Sequence, residues 1–189
     1  MAWFDIGILA LHFGLLSVLC LFGLHRLSMV VRWFFYRHSQ IKIDQEFADL
    51  PYITVQIPIY NEQYVAQRII DAVAALNYPA DKLQLQIVDD STDNTQNVIA
   101  ERIAYHNQRG ISMEHIHRTN RTGFKAGALK EAMEISTGEF IAIFDADFIP
   151  EPDILINTIH HFSNKEVGML QLRWEHLNRN NNKLTELQS

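Results

Sequence analysis

The sequence predicts an α/β protein, a mostly parallel sheet flanked by helices and preceded by one N-terminal transmembrane helix. Three observations support this prediction. An apolar run lies near the N-terminus, short β-rich runs alternate with helical patterns from residue 52 onward, and acidic residues follow several of those β-rich runs. With 189 residues, of which 48% are hydrophobic and 20% charged, the chain has the composition of a globular domain and not of a disordered or fibrous protein.

The apolar run covers residues 6–24 and contains no formal charge. As a helix it would be about 28 Å long, which is close to the thickness of the hydrocarbon core of a bilayer. A signal peptide is the alternative. However, residues 1–5 contain no basic side chain, and no small-residue cleavage pattern follows the run. The run is therefore predicted to be an uncleaved membrane anchor.

Charge is distributed unevenly along the chain. Residues 1–42 contain four basic side chains and one acidic one, a net charge of +3, whereas the remaining residues have a net charge of −9. The basic flank that follows the apolar run predicts, by the positive-inside rule, an N-terminus outside and a domain on the cytosolic face of a plasma, inner or Golgi-type membrane. The acidic balance argues against a nucleic-acid partner. The single cysteine, Cys20, excludes an internal disulfide framework.

These features divide the chain into three parts. Residues 1–42 form the anchor and a basic, aromatic segment, and the cluster at 29–36 suits either the membrane interface or a continuation of the helix. Residues 43–51 form a polar linker, and residues 52–189 form a cytosolic domain. The strands predicted in this domain are residues 52–58, 83–89, 111–117, 139–145 and 167–174. Helical spacing of apolar residues fills the intervals, with Gly123 opening one helix and Gly138 predicted as a left-handed stop before the next strand.

Polar residues gather where these strands end, which is where open α/β sheets bind their ligands. The first strand is followed by Pro58, Tyr60, Asn61 and Glu62, and the second ends at Asp89 and Asp90. Asp90 suits hydrogen bonding to a base or ribose, although the same segment also resembles a helix cap.

Asp145 and Asp147 follow the most hydrophobic strand, separated by a single residue. Two close carboxylates repel each other, and a bound Mg²⁺ or Mn²⁺ would offset that repulsion. Aspartate is also common in turns, so the triplet alone has a simple structural alternative. Arg118, Arg121 and Lys125 lie around the third strand end and the start of the next helix, where they either bind an anionic ligand or form a solvated basic loop.

Five segments, in this order and spacing, carry a resemblance to a known family: PIYNE, DDSTD, RTGFKAGALKEAM, FIAIFDADFIPEPD and LQLRWEHLN. Together they resemble glycosyltransferase family 2, and more narrowly its cellulose-synthase-like membrane branch, which includes mannan and glucan synthase-like enzymes. The resemblance covers residues 50–189.

The resemblance implies a GT-A fold, a nucleotide-sugar donor such as UDP-glucose or GDP-mannose, and transfer of a hexose with inversion to a growing β-glycan. It implies that Pro58–Glu62 and Asp90 line a nucleoside pocket, that Lys125 and the turn around it approach the diphosphate, and that Asp145 and Asp147 hold Mg²⁺ or Mn²⁺. Asp89 and Arg121 complete the expected donor-binding set.

Two departures from the family pattern limit this expectation. Thr185-Glu186-Leu187 lacks the aspartate of the family's catalytic-base motif, and Gln171-Leu172-Arg173-Trp174 has one residue too few for its acceptor motif. The general base is therefore expected beyond Ser189, and the chain is expected to be the N-terminal portion of a longer enzyme, inactive alone. Transfer of one sugar to a lipid acceptor, a catalytically silent nucleotide-sugar-binding module and a nucleotidyltransferase stay open as alternatives. The oligomeric state is not predicted.

Overall fold

The computed structural model describes residues 2–37, 43, 45–172 and 183. The chain divides into two compact units, Met1–Lys42 and Ile43–Ser189.

The first unit is a single helix, α1 (Ala2–Tyr36). Its Phe4–Tyr36 stretch is long and apolar enough to cross a membrane, with a mean hydropathy of 2.3. The aromatic cluster at 29–36 continues this helix and is not a separate segment. The hydroxyl of Ser17 donates a hydrogen bond of 2.8 Å to the carbonyl oxygen of Phe13, so the helix satisfies this polar group internally.

The second unit alternates strands and helices. Its elements are β1 (Ile53–Ile59), α2 (Gln63–Ala74), β2 (Leu83–Asp89), α3 (Thr95–Asn107), β3 (Met113–His117), α4 (Phe124–Met133), β4 (Phe140–Ile143) and α5 (Ile154–Ile159). The four strands are parallel and lie in the order β3-β2-β1-β4. The parallel α/β prediction is confirmed.

The two faces of the sheet differ in chemistry. On one face Val55, Ile57 and Ile87 are fully buried, and they belong to a core that also contains Ile69 of α2 and Ile99 of α3. Because side chains alternate along a strand, the residues between them point to the opposite face, which α4 covers with small side chains, Ala128 and Ala132.

A row of polar side chains crosses this second face. The Gln56 amide donates 3.0 Å to Gln86, and the Gln86 amide donates 3.2 Å to Glu114, so three adjacent strands are joined by side-chain hydrogen bonds. Both glutamines are fully buried. A shift of one residue would turn these polar side chains toward the apolar core on the other face and break their bonds, so the row fixes the strand register.

Helices α2 and α3 are joined by an ionic cluster. The carboxylate of Asp71 accepts hydrogen bonds from Arg102 Nε and, at 2.7 Å, pairs with His106 Nε2. Burial alone would raise the pKa of Asp71, but the hydrogen bonds from Arg102 and His106 outweigh it and hold that pKa below its usual value.

Gly138 has a different role from the one predicted. Within the described residues only Gly110 and Gly123 have a positive φ among the glycines, so Gly138 is not a left-handed helix stop. It is needed for close approach instead. A β-carbon at this position would lie 2.8 Å from the carbonyl carbon of Ile53, and the Gly138 amide donates 2.9 Å to Thr54 Oγ1.

Two further predictions differ from the structure. Part of the predicted linker, residues 43–51, packs on the second unit: Phe47 and Leu50 contact its core, and the carbonyl oxygen of Pro51 accepts a 2.6 Å hydrogen bond from Tyr78. The fifth strand, predicted over 167–174, is absent from residues 167–172, and residues 173 and 174 lie outside the described part of the chain.

Candidate functional site

The carboxyl ends of β1 and β2 border a cavity of about 680 Å³. Its lining includes nine of the ten residues predicted from the sequence to form the site: Pro58, Tyr60, Asn61, Glu62, Asp90, Arg121, Lys125, Asp145 and Asp147. Asp89 is the exception, because it is buried beneath the strand end and does not line the cavity. Segments that are far apart in the sequence therefore meet at one edge of the sheet.

The loops that follow β1 and β2 are joined through Asn61. Its φ of 54° lies in the left-handed region, which asparagine tolerates better than most residues. Its amide N–H donates 2.9 Å to Ser91 Oγ, and its side-chain oxygen accepts a 2.8 Å bond from the amide of Thr92. These bonds fix the backbone on which Tyr60 and Glu62 are carried.

Asp90 is held by a buried ion pair. Arg118 Nε donates 2.7 Å to one carboxylate oxygen and Arg118 Nη2 donates 2.6 Å to the other, and both side chains are only 5% exposed. The hydrogen bond with Asp90 raises the pKa of Arg118 above its usual value. Arg118 was expected to face an anionic ligand together with Arg121 and Lys125, but it lies behind Asp90 and does not line the cavity.

Arg118 also contacts the turn that leads into α4. Its Nη2 lies 3.3 Å from the carbonyl oxygen of Phe124, and its Nη1 lies 3.4 Å from Glu131. One guanidinium therefore connects the end of β2 with the start of α4. Sequence reasoning identified Arg118 only as a positive charge; no local pattern indicates which of several nearby carboxylates it contacts.

The turn itself depends on two glycines. Gly123 has a φ of 75° and precedes α4, and Phe124 also has a positive φ of 50°. A β-carbon at Gly127 would overlap the carbonyl oxygen of Thr122 and lie 3.3 Å from Arg118 Nη1. The turn places Lys125 in the first turn of α4, where unpaired backbone N–H groups and the helix dipole favour an anion.

Arg121 stacks on an aromatic ring at the same cavity. Its guanidinium carbon lies 3.3 Å from the centroid of the Tyr60 ring and 5.1 Å from that of Phe124. The guanidinium is thus positioned by aromatic faces, and within the described residues no carboxylate pairs with it, so its charge is available to a ligand in the cavity.

Lys125 lines the same cavity as three carboxylates, those of Glu62, Asp145 and Asp147. Lys125 Nζ forms an ion pair with Asp145, and both side chains remain partly exposed. Burial raises the pKa of Glu62, and the charges of Asp147 and Asp145 raise it further, against the smaller opposing effect of Lys125. The Glu62 carboxylate therefore lies in a negative field from both aspartates, and this field favours a bound cation.

Asp89 lies below the cavity in a separate environment. Its Oδ1 accepts a 2.8 Å hydrogen bond from the amide of Ser91, and its Oδ2 lies 3.0 Å from His115 Nε2 and 3.2 Å from His117 Nδ1. Burial alone would raise the pKa of Asp89, but the hydrogen bonds from His115 and Ser91 outweigh it and lower that pKa. The two histidines were not predicted as site residues. The sequence does show them two residues apart in the predicted third strand, and it shows an aspartate at the end of the second.

The glycosyltransferase family 2 model matches residues 54–188, which include the whole cavity lining and, among the described strands, all of β2, β3 and β4 and all of β1 except Ile53. The chain belongs to glycosyltransferase family 2. Of the two departures from the family's motifs, Thr185-Glu186-Leu187 and the second half of Gln171-Leu172-Arg173-Trp174 lie outside the described residues.

Two proteins that are similar to this chain are both mannosyltransferases. This chain is 41% identical over 143 residues to glucomannan 4-beta-mannosyltransferase 1 of Cyamopsis tetragonoloba. The match covers 73% of this chain and 27% of that protein's length. The solved mannosyltransferase PcManGT from Pyrobaculum calidifontis, in complex with GDP-Man and Mn²⁺, is 30% identical with a TM-score of 0.66. That match covers 75% of this chain and 41% of the solved one. The GT-A-like fold and the similarity to mannosyltransferases are confirmed.

Proposed function

We propose that this chain is the donor-binding part of a membrane-anchored mannosyltransferase that transfers a hexose, with inversion, from GDP-mannose to a growing β-glycan. One observation carries the proposal: Asp145, Asp147 and Glu62 meet Lys125 in the cavity that Asp90 also lines. Carboxylates for a cation and a lysine for phosphate are the two kinds of group that a nucleoside diphosphate needs. Of the two donors suggested by the sequence, GDP-mannose is favoured over UDP-glucose because both reported relatives are mannosyltransferases.

The donor atoms present fit a hard divalent cation. Asp145 and Asp147 offer carboxylate oxygens on the cavity wall, and Glu62 lies close enough for their charges to raise its pKa. Oxygen-only ligands suit Mg²⁺ or Mn²⁺. PcManGT, which was solved with Mn²⁺, makes Mn²⁺ the first choice for this chain. When bound, such an ion offsets the negative charge that develops on the departing nucleoside diphosphate.

Lys125 and Asp145 would exchange partners when the donor binds. Their ion pair joins the first turn of α4 to the end of β4. With a diphosphate in the cavity, Lys125 and the N–H groups at the start of α4 would contact phosphate oxygens, and Asp145 would turn to the cation. The pair therefore holds each charge in position before the ligand arrives.

Asp90 and Tyr60 would bind the nucleoside. Arg118 donates one hydrogen bond to each oxygen of the Asp90 carboxylate. Each oxygen has a second lone pair, which can accept a hydrogen bond from an N–H group of the base. Asn61, bonded to Ser91 and Thr92, keeps the β1 loop beside the β2 loop while the base enters.

For the acceptor step, a sugar hydroxyl would attack the anomeric carbon from the face opposite the diphosphate, which inverts that centre. Inversion requires a base to take the hydroxyl proton. The glycan acceptor is proposed on the basis of the Cyamopsis relative, whose name describes transfer in glucomannan.

The N-terminal helix is proposed to anchor the enzyme with its N-terminus outside and its second unit in the cytosol. Arg26, Arg32 and Arg37 follow the apolar run, and no acidic residue occurs between Asp5 and Asp44. A protease-protection assay on sealed vesicles, with one tag at each end of the chain, tests this orientation. Protection of the C-terminal tag in right-side-out vesicles supports it, and protection of the N-terminal tag contradicts it.

Titration of the detergent-solubilised full chain with GDP-mannose and UDP-glucose, with and without Mn²⁺, tests the donor proposal. We expect Mn²⁺-dependent binding of GDP-mannose that is at least tenfold tighter than binding of UDP-glucose. Absence of binding by either nucleotide sugar would overturn the proposal, and a preference for UDP-glucose would overturn the choice of mannose.

Product analysis separates the remaining alternatives. Membranes from cells that express the complete gene should convert labelled GDP-mannose into a ladder of polymer lengths. A single glycolipid product would instead support transfer to a lipid acceptor, and donor binding without turnover would support a silent binding module. Incorporation of sugar 1-phosphate would identify a nucleotidyltransferase.

A further inference from the structure

A cluster outside the cavity brings together one carboxylate and two imidazoles. Asp89 ends β2, and His115 and His117 lie on the neighbouring strand β3, where Ile87 pairs with His115 and Asp89 with His117. Because residues two apart on a strand point to the same face, the parallel register sets both imidazoles beside the same aspartate. All three ligand atoms lie within 4.8 Å of one another.

The charge of Asp89 is balanced differently from that of Asp90. The Asp90 carboxylate has the guanidinium of Arg118 at 2.6 Å, whereas no lysine or arginine in the described part of the chain pairs with Asp89. Asp89 is nevertheless fully buried, and its partners are two imidazoles and Ser91, which donates both its backbone N–H and its hydroxyl. A buried carboxylate usually has a cationic partner or coordinates a metal.

The geometry of the cluster is close to that of a tetrahedral transition-metal site. Zinc bonds to histidine nitrogen and aspartate oxygen at about 2.0–2.2 Å, which separates neighbouring ligand atoms by about 3.4 Å. Here Oδ2 of Asp89 lies 3.0 Å from one imidazole nitrogen and 3.2 Å from the other. These two distances need to widen by only a few tenths of an ångström to match the metal site, and the two imidazole nitrogens lie within 4.8 Å of each other.

Solvent reaches the cluster on the side of the two histidines. The side chain of His117 is 32% exposed and that of His115 is 23% exposed, while Asp89 has no exposed surface. An ion could therefore enter past the imidazoles and keep a water molecule as its fourth ligand. Neither histidine lines the 680 Å³ cavity, so this cluster shares no residue with the carboxylates proposed to hold the donor's cation.

We propose that Asp89, His115 and His117 form a second metal site, specific for a nitrogen-preferring divalent ion such as Zn²⁺ or Co²⁺, which clamps β2 to β3. Imidazole ligands select such ions over Mg²⁺, which prefers oxygen. Each imidazole binds the ion as a neutral ligand, through the nitrogen that faces Asp89, and carries its single N–H on the other ring nitrogen. The bound ion is structural, since it fixes the end of β2 from which Asp90 extends into the cavity.

Cobalt(II) titration of the full chain in detergent tests this site, because four-coordinate Co²⁺ gives strong visible absorption. An Asp145→Asn/Asp147→Asn background removes the ligands of the donor's cation, so the result does not depend on the proposed transferase function. In that background we expect one equivalent of Co²⁺ to bind with a four-coordinate spectrum, and millimolar Mg²⁺ not to displace it.

Adding His115→Ala and His117→Ala to this background should remove the spectrum and weaken Co²⁺ binding at least 100-fold. The matched control, His12→Ala/His25→Ala, removes two imidazoles from α1 and should leave the titration unchanged. Equal Co²⁺ titrations with and without His115 and His117 would overturn the proposal.

A milder variant keeps the test decisive if the double substitution disturbs folding. His117 is the more exposed ligand, so His117→Ala is expected to fold, with circular dichroism and the unfolding temperature as checks. Its four-coordinate spectrum should be lost and its affinity for Co²⁺ should fall at least tenfold. An unchanged spectrum in this variant would also overturn the proposal.

Discussion

The guanidinium of Arg118 makes two hydrogen bonds to the carboxylate of Asp90, 2.7 Å from Nε to Oδ1 and 2.6 Å from Nη2 to Oδ2. Both side chains are almost completely buried, yet one edge of Asp90 reaches the cavity. The pair fixes the direction of the Asp90 carboxylate before any ligand binds, and a rigid acceptor of this kind lowers the ordering cost of binding.

Replacing Arg118 by methionine should leave a buried, unpaired carboxylate at Asp90. Loss of one partner from a buried ion pair costs about 3–5 kcal/mol, so we expect a decrease of that size in the free energy of unfolding. Arg121→Met is the control, because Arg121 is exposed, stacks on Tyr60 and has no carboxylate partner in the part of the chain that the structure describes. Denaturant unfolding of both variants provides the comparison, and equal stabilities would contradict the role given to Arg118.

Gly127→Ala should destabilise the turn before α4. Helix propensity alone would favour alanine by about 1 kcal/mol. The added methyl group, however, would overlap the backbone oxygen of Thr122, and overpacking of this kind costs about 1–3 kcal/mol or more. We expect a net loss of about 1–2 kcal/mol in the free energy of unfolding, together with weaker nucleotide binding because Lys125 follows the turn.

Gly168→Ala is the matched control for this turn, since no atom of the described residues, apart from its chain neighbours, lies within 4 Å of the position its β-carbon would take. Its free energy of unfolding should stay within about 0.5 kcal/mol of the parent value. If Gly127→Ala proves as stable as Gly168→Ala, the close packing of the turn on Thr122 is not a constraint.

The carboxylate of Asp71 should make the free energy of unfolding depend on pH. Its folded-state pKa is lowered, so between that pKa and the unfolded value of about 3.9 the unfolded chain binds more protons. The contribution of Asp71 to stability is therefore complete above the unfolded pKa and is lost as pH falls through the folded pKa.

Asp71→Asn should flatten the acid side of the stability curve, measured by urea unfolding from pH 6 downward. Asp81→Asn should leave the curve unchanged, because Asp81 is exposed and forms no ion pair in the described part of the chain. If the free energy of unfolding of Asp71→Asn falls with pH as steeply as that of the parent protein, the contacts of Asp71 with Arg102 and His106 do not make stability depend on pH.

Asp145→Asn and Asp147→Asn should each weaken Mn²⁺-dependent binding of GDP by at least tenfold, because each removes a charged oxygen ligand. Fold integrity should be retained, since the side chain of Asp145 is 37% exposed and Asp147 is also exposed. Glu151→Gln, an exposed acidic position outside the cavity lining, is the control. Calorimetric titration curves that coincide for all three variants would remove the metal role from these aspartates.

The strand ends could be predicted from the sequence because parallel strands bury continuous apolar runs and direct their carboxyl ends to one edge. This rule located Tyr60, Asp90 and Asp145 near each other without any knowledge of packing. The rule does not predict how deeply each side chain is buried. Asp89 and Asp90 are adjacent in the sequence, yet the alternation of the strand buries one beneath the sheet and turns the other to the cavity.

The remaining errors arise from contacts that only the folded chain determines. Arg118 pairs with Asp90 because β3 lies beside β2, and Gly138 is required by its approach to Ile53 and Thr54. The run at 167–174 is β-rich in composition, but β-propensity reflects a half-buried pleated surface, and residues 167–172 do not form one.

The position of β1 between β2 and β4 has a consequence for how the protein is made. Ile53, at the start of the sheet, pairs with Phe140, so a ribosome must synthesise about two-thirds of the second unit, residues 43–140, before this pairing can form. Such long-range closure slows folding. A nascent chain would thus have the Tyr60 and Asp90 loops joined before Asp145 arrives, and a cellular chaperone would meet an intermediate whose sheet still has an open edge at β1.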